Sequence, residues 1–308
     1  MIPTRLNLSL ATLALVAHVV LLAVLPRLLL PRDPAWAWLL VPLCLAIIPH
    51  WALIHEAVHG HLLPDRRAND RLGRGLALLF GAPFDVLRVG HLSHHALNAR
   101  AVERPELYDP AVRSRPVAAL GYFLRLCGGL YLVEVASSAL AWLPRSWLRP
   151  LVRRLFYEGD VEAGAVPARA ERHLLDRRSL RRIRADGAAA VILLALGFWL
   201  WSTAWSVLLA ALLGRAFIVS FLDNAPHYRG ELGDPRQGHD MVLPAPLAVL
   251  VLHANLHGTH HRHPELPWTE LSRRFALDRA PPAGSWFVVP WRQLRGPLPV
   301  TALRAEQR

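Results

Sequence analysis

The chain has 308 residues, 53% of them hydrophobic, with a mean hydropathy of +0.26. An ordinary soluble domain is about 45–50% apolar even with Gly counted, so the composition argues for one integral membrane domain. The formal net charge is +12, and all 35 basic residues are Arg. These Arg sit between apolar runs, which favours a cytoplasmic face beside anionic lipid over nucleic-acid binding.

Arg in place of Lys, with heavy Ala, Leu and Pro use, fits the coding bias of a GC-rich bacterial genome. Only two Cys occur, Cys44 and Cys127, both in apolar runs, so a disulfide framework or Cys-based metal site is excluded. Sixteen His are the unusual feature, because a histidine in a membrane protein needs a partner.

Residues 7–25, "NLSLATLALVAHVVLLAVL", have about the ~20-residue length that a span requires. A cleavable signal peptide is the rival reading, but no small-residue cleavage site follows and a second apolar run comes at once. Pro26, Pro31 and Pro34 break the chain before the second span, 36–54, so the two form a hairpin with His55 at its far end. Residues 62–75 are polar and Arg-rich, and 76–86 are apolar but too short to cross, which suggests an interfacial segment. Residues 117–143 are long enough to span but carry Arg125, Glu134 and the Gly128-Gly129 pair. The run 188–222 is too long for one span. Its aromatic "WLWSTAW" at 199–205 suits a membrane interface and divides it into spans 188–203 and 205–222.

Eleven Arg lie between residues 144 and 187. A single crossing by 117–143 would put them outside, against the positive-inside tendency. That segment is therefore expected to be interfacial or re-entrant. The expected architecture is an all-α polytopic membrane protein with two transmembrane hairpins, four spans, and a cytoplasmic helical cap. Residues 1–270 form the domain and 271–308 an Arg- and Pro-rich cytoplasmic tail without an assigned fold. No internal repeat is visible.

Three histidine clusters recur: His55 and His59, then His91, His94 and His95, then His257, His260 and His261 on a short helix. Positions i, i+3 and i+4 share one helix face. Adjacent histidines nevertheless diverge by roughly 100° about the axis, so they can reach two different metal ions. Eight imidazoles exceed the four ligands of a structural zinc. Imidazole suits Zn, Cu, Fe and Ni, so ligand type does not name the metal. The first cluster alone, "HEAVH", also fits a zinc protease helix with Glu56 as general base. That reading leaves the other clusters unused, and Gly60-His61 follow where the metzincin spacing needs a later ligand. A His-rich metal carrier is a second rival, but carriers place ligands near the bilayer midplane and these clusters lie at span ends.

Taken in order, "HEAVH", "HLSHH" and "HGTHH" resemble the three histidine boxes of the integral-membrane fatty acid desaturase and hydroxylase superfamily, which includes alkane hydroxylases and carotenoid hydroxylases and ketolases. The resemblance covers roughly residues 7–270, and "NLHGTHHRHPELPW" is similar to the third box of the shorter bacterial members. It implies a cytoplasmic non-haem di-iron site held by His55, His59, His91, His94, His95, His257, His260 and His261. His227 in "DNAPHY" is the candidate ninth ligand.

The resemblance further implies O2-dependent oxidation of an unactivated C–H bond in a bilayer lipid. Fatty acyl desaturation is the expected reaction, with hydroxylation and ketolation as alternatives. Glu56, His61, Asp223, Asn224, His253 and Asn255 are expected to orient the ligands, while His50 and His263 are structural or neighbouring residues. "HPEL" at 263–266 is not the HPGG haem motif of a fused cytochrome b5, so a separate electron donor is implied, a ferredoxin or a cytochrome b5-like protein. An acidic donor could dock on the Arg-rich face, although positive-inside topology explains the same Arg. The implied location is a bacterial inner membrane, with boxes and termini cytoplasmic and no nucleic-acid partner.

Overall fold

The first apolar run forms a longer helix than its composition suggests, α1 (Thr4–Leu29). It continues past Val19 in a wider, π-type winding that accommodates Pro26, which has no N–H to give to the ladder. Asp33 caps the second span, accepting from the Ala35 backbone N–H at 2.8 Å, with Pro34 at the first helical position. That helix, α2 (Pro34–His59), carries His55 and His59 on its own last turns, so the first box is part of the span. This computed structural model describes residues 1–234 and 236–306. Among the described residues the only named strands are Leu107–Tyr108 and Leu298–Pro299, which pair in parallel.

Four stretches are long and apolar enough to cross a membrane: Thr4–Leu29, Pro34–His59, Arg115–Leu140 and Arg177–Asn224. The last is broken at Ser202, whose φ of 50° lies outside the helical region. It comprises α8 (Arg177–Trp201) and α9 (Trp205–Asn224). Trp201 Nε1 donates to Leu21 O at 3.0 Å, and Leu21, Leu25, Leu43, Trp201 and Leu208 form one core at the turn end. The two helices therefore run out and back, the hairpin expected from 188–203 and 205–222.

The helix α5 (Arg115–Leu140) is broken at Gly128, whose φ of +125° a side chain rarely adopts. Tyr122 in its first arm meets Asn224, Gly128 packs on Ala216, and the Tyr131 N–H donates to Ser220 Oγ at 3.2 Å. Along α9 the segment thus moves inward by eight residues, about 12 Å, and returns. Ser138 in the second arm donates to Gly81 O at 2.9 Å.

Between the first two spans and α5 lie α3 (Arg66–Phe80) and α4 (Phe84–Leu97), bent 97° to each other. The interfacial reading of 76–86 is corrected here. Leu76, Ala77 and Phe80 end α3 and are buried against α2, because the Arg-rich stretch before them forms the polar face of the same amphipathic helix. Two amphipathic helices, α6 (Arg145–Leu155) and α7 (Val166–Leu175), pack against the start of α8 through Leu148, Val152, Leu174 and Ile183.

After α9 come α10 (Ala245–Leu250), α11 (His257–Arg262), α12 (Trp268–Asp278) and α13 (Val300–Glu306). The tail left without a fold is ordered back onto the domain. Gln293 is fully buried and donates to Phe221 O at 2.8 Å, and Leu298 N donates to Glu106 O at 2.8 Å.

Candidate metal centre

Four elements bring nine imidazoles together. α2 supplies His55 and His59, α4 supplies His91, His94 and His95, and α11 supplies His257, His260 and His261. His227 stands in the turn after α9. They fall into two groups: His55, His59, His91, His95 and His260 in one, and His94, His227, His257 and His261 in the other. Within each group the ligating atoms lie within 4.8 Å of one another. The sequence neighbours separate, with His94 and His261 in one group and His95 and His260 in the other. That is the consequence of roughly 100° of rotation between adjacent helical residues. The groups are adjacent, since the rings of His95 and His261 stack 4.3 Å apart.

The donor set suits a metal ion in each group. In the first, Nε2 atoms of His59 and His91, His91 and His95, and His95 and His260 approach to 2.9, 3.0 and 3.1 Å. In the second, His94–His227, His227–His257 and His257–His261 give 3.1, 2.9 and 3.0 Å. Nitrogens spaced in this way can share one metal ion in each group, and imidazole suits Zn, Cu, Fe and Ni alike. His55 Nε2 is buried with no hydrogen-bond partner, the condition of a nitrogen that lacks its ligand.

Burial holds these rings in the neutral form that binds metals. Desolvation, then neighbouring imidazoles, push His91, His227, His260 and His261 well below the usual histidine range. The same causes take His95 to about 2 and His257 to about 3. His94 differs. Burial alone lowers it, but the Glu103 carboxylate 3.0 Å from Nδ1, with Asp223 adding to the field, carries it above its usual value.

Glu103 is the partner that local sequence does not disclose. It accepts from His94 Nδ1 and so leaves Nε2 free for the group. Arg104, fully buried, pairs with Glu106 at 2.5 Å and donates to the backbone carbonyls of His227 and Gly230. It thereby fixes the turn that presents His227. Asp240 fixes the third box, accepting from Thr259 N at 2.7 Å and from Arg262 at 2.7 Å. The Gly258 of "HGTHH" passes so close to Gly238 that a Cβ would sit 2.2 Å from its carbonyl oxygen.

Several expected partners act elsewhere. Asn224 donates to Gln293 Oε1 at 2.9 Å and to Tyr122, and Asn255 donates to Met241 O at 2.8 Å, so neither touches an imidazole. His253 stands outside the helix that carries His257. It has a φ of 53° in the preceding turn and contacts Trp268 O at 3.0 Å. His61 stacks 6.0 Å from His59 without joining the group. His263 meets Asp278, and His50 meets Leu76 O. Glu56 Oε2 accepts from the Trp268 N–H at 3.2 Å, and its Oε1 stands 4.0 Å from His55. Asp223 lines the cavities beside the site.

One cavity of about 90 Å³ opens on both groups, touching His55, His91 and His260 of the first and His94 and His257 of the second. Its other walls are mainly apolar, among them Ile48, Trp51, Val219 and Leu252. A family model described as fatty acid desaturase matches residues 34–291, a range that contains all nine imidazoles. No curated protein and no solved structure matches the chain.

Proposed function

The chain belongs to the fatty acid desaturase family, and from that premise we propose that it is a di-iron membrane oxidoreductase that desaturates a lipid acyl chain with O2. The observation that carries the reading is the pair of adjacent all-imidazole groups facing one apolar cavity. His55, His59, His91, His95 and His260 would hold one iron, and His94, His227, His257 and His261 the other. Bound there, the irons supply the oxidising power that removes hydrogen from an unactivated C–H bond.

The rest is the work of the protein. The apolar walls hold a hydrocarbon segment against the groups and exclude water. Glu103 holds the proton on His94 Nδ1, and Arg104 holds the His227 turn in place. The overall change converts –CH2–CH2– to –CH=CH–, while O2 with two electrons and two protons leaves as two waters. The electrons come from a separate carrier of the ferredoxin or cytochrome b5 type. The Arg-rich segment 144–187 supports a cytoplasmic location for the boxes in a bacterial inner membrane, with the bent α5 as a re-entrant element.

Expression with such a donor, followed by mass spectrometry of the host lipids, tests this. The expected product is two hydrogens lighter than its precursor and depends on bound iron. A product one oxygen heavier would make the enzyme a hydroxylase instead. No product and no iron would overturn the reading.

A further inference from the structure

Arg104 holds the turn that presents His227 through the carbonyls of His227 and Gly230. The root of that turn is held separately, from the C-terminal tail. Gln293 lies in a short 3-10 helix, Val289–Arg295, and is fully buried. Its Nε2 donates to Phe221 O at 2.8 Å, and its Oε1 accepts from Asn224 Nδ2 at 2.9 Å. Its backbone carbonyl accepts from the Tyr122 hydroxyl at 2.9 Å. Phe221 O is one of the last four carbonyls of α9, which a helix leaves without an internal partner. The glutamine therefore caps the end of α9 and ties it to the first arm of α5.

Asn224 passes this restraint on, because its own carbonyl accepts from the N–H groups of His227 and Tyr228 at 3.1 and 3.2 Å. The Tyr228 hydroxyl donates to Gly296 O at 2.8 Å. Further along, Leu298 N donates to Glu106 O at 2.8 Å, and Leu298–Pro299 pairs with Leu107–Tyr108. That is the connection that carries Glu103 and Arg104. The tail thus reaches the supports of both His227 and His94, two members of the second imidazole group. Among the described residues, no hydrogen bond joins 291–298 to α2, α4 or α11. Gln293, Gly296 and Leu298 lie beyond residue 291, where the match to the desaturase family ends, so this clamp belongs to the chain and not to the matched region.

We propose that the segment 291–298 is a strap that assembles the second imidazole group, with Gln293 as the positioning residue that fixes the end of α9 and through it His227. A ligating nitrogen has to stay within about 0.2 Å of its place. His227 stands three residues past the helix, so its accuracy depends on how firmly that end is held. The first group, carried on α2, α4 and α11, does not depend on the strap. The inference rests on the proposed function only in that the second group binds a metal.

The test begins with hydrogen exchange on the metal-free full chain in lipid nanodiscs. Gln293→Met keeps the size of the side chain and removes both of its hydrogen bonds. The N–H groups of His227 and Tyr228 should then exchange about 10-fold faster, with those of His260 and His261 unchanged. In an Fe(II) titration of the same variant, one binding event should weaken by about 10-fold, the lower end of the range for a group that orients a ligand, and the other should stay as in the wild type. Tyr122→Phe removes one hydroxyl from the strap's hold and should act in the same direction by a smaller factor; it decides the matter if Gln293→Met does not fold. Unchanged exchange at His227 and Tyr228 in the folded variants, or equal weakening of both binding events, would overturn the proposal. The exchange is read without metal, so a wild-type chain that binds no iron counts against the oxidoreductase reading alone.

Discussion

Replacing Glu103 with Ala removes the acceptor 3.0 Å from His94 Nδ1. The two side chains are only 12% and 19% exposed, so water restores the lost contact incompletely. Loss of a carboxylate that orients a ligating histidine costs about 10–100-fold in metal affinity, or about 1.4–2.8 kcal/mol. The loss should be confined to the group of His94, His227, His257 and His261, because no ring of the other group bonds Glu103. Metal-stripped protein is titrated anaerobically with Fe(II), well above the usual histidine pKa of about 6.5, so that the extra proton affinity Glu103 gives His94 does not interfere. The wild type should show two binding events, with one of them weakened in Glu103→Ala. Glu103→Gln should fall between, since its amide oxygen still accepts. Unchanged affinities in both variants, or equal weakening of both events, would refute the assignment of Glu103 as the group that orients His94.

Arg104→Leu leaves Glu106 fully buried without its cation, which should cost about 3–5 kcal/mol and lower the Tm. The double variant with Glu106→Leu should recover much of that stability but not the metal affinity of the group containing His227; full recovery of both would show that Arg104 does not position His227. Gly258→Ala places a methyl against the Gly238 backbone and should destabilise the third-box helix by about 1–3 kcal/mol, read as lowered Tm and metal content; wild-type values would contradict the close approach. Acidification should destabilise the metal-free fold through the box histidines held low, with His94, whose value is raised, acting the other way. The metal-free fold keeps His91, His95, His227, His257, His260 and His261 neutral, whereas the unfolded chain protonates them below about pH 6.5. That stability is present above pH 6.5 and is lost as pH falls, by about 1 kcal/mol per group down to about pH 5.5. Denaturant unfolding of metal-free protein across that window checks the sign, and stability that rises on acidification would contradict it.

The box histidines are legible because helical spacing is a local property. The i, i+3, i+4 pattern at His91, His94 and His95 implies both a shared face and the divergence that sends His94 and His95 to different groups. The second transmembrane hairpin is legible from its length and from the aromatic break before Trp205. Residues that act through long-range contacts are not. Glu103 and Arg104 lie in the connection after α4, and only the folded chain brings Arg104 to the carbonyl of His227. Conversely, Asn224 and Asn255 adjoin ligating histidines in sequence, but turn geometry aims them at Gln293 and Met241. The apolar stretch 76–86 reads as an interfacial segment in isolation. Its burial becomes evident only once Arg66 and the polar residues after it are placed on the opposite face of α3. The tail carries no periodic signal, because short contacts such as those of Gln293 hold it in place.

The central claim is that nine imidazoles make two metal sites, and counting iron per chain tests it most directly. Purified protein reconstituted with Fe(II) should hold two irons per chain. His59→Ala and His257→Ala should each weaken a different one, with the neighbouring pair His260→Ala and His261→Ala dividing in the same way. One metal per chain, a preference for a single zinc, or identical losses in His260→Ala and His261→Ala would contradict the account.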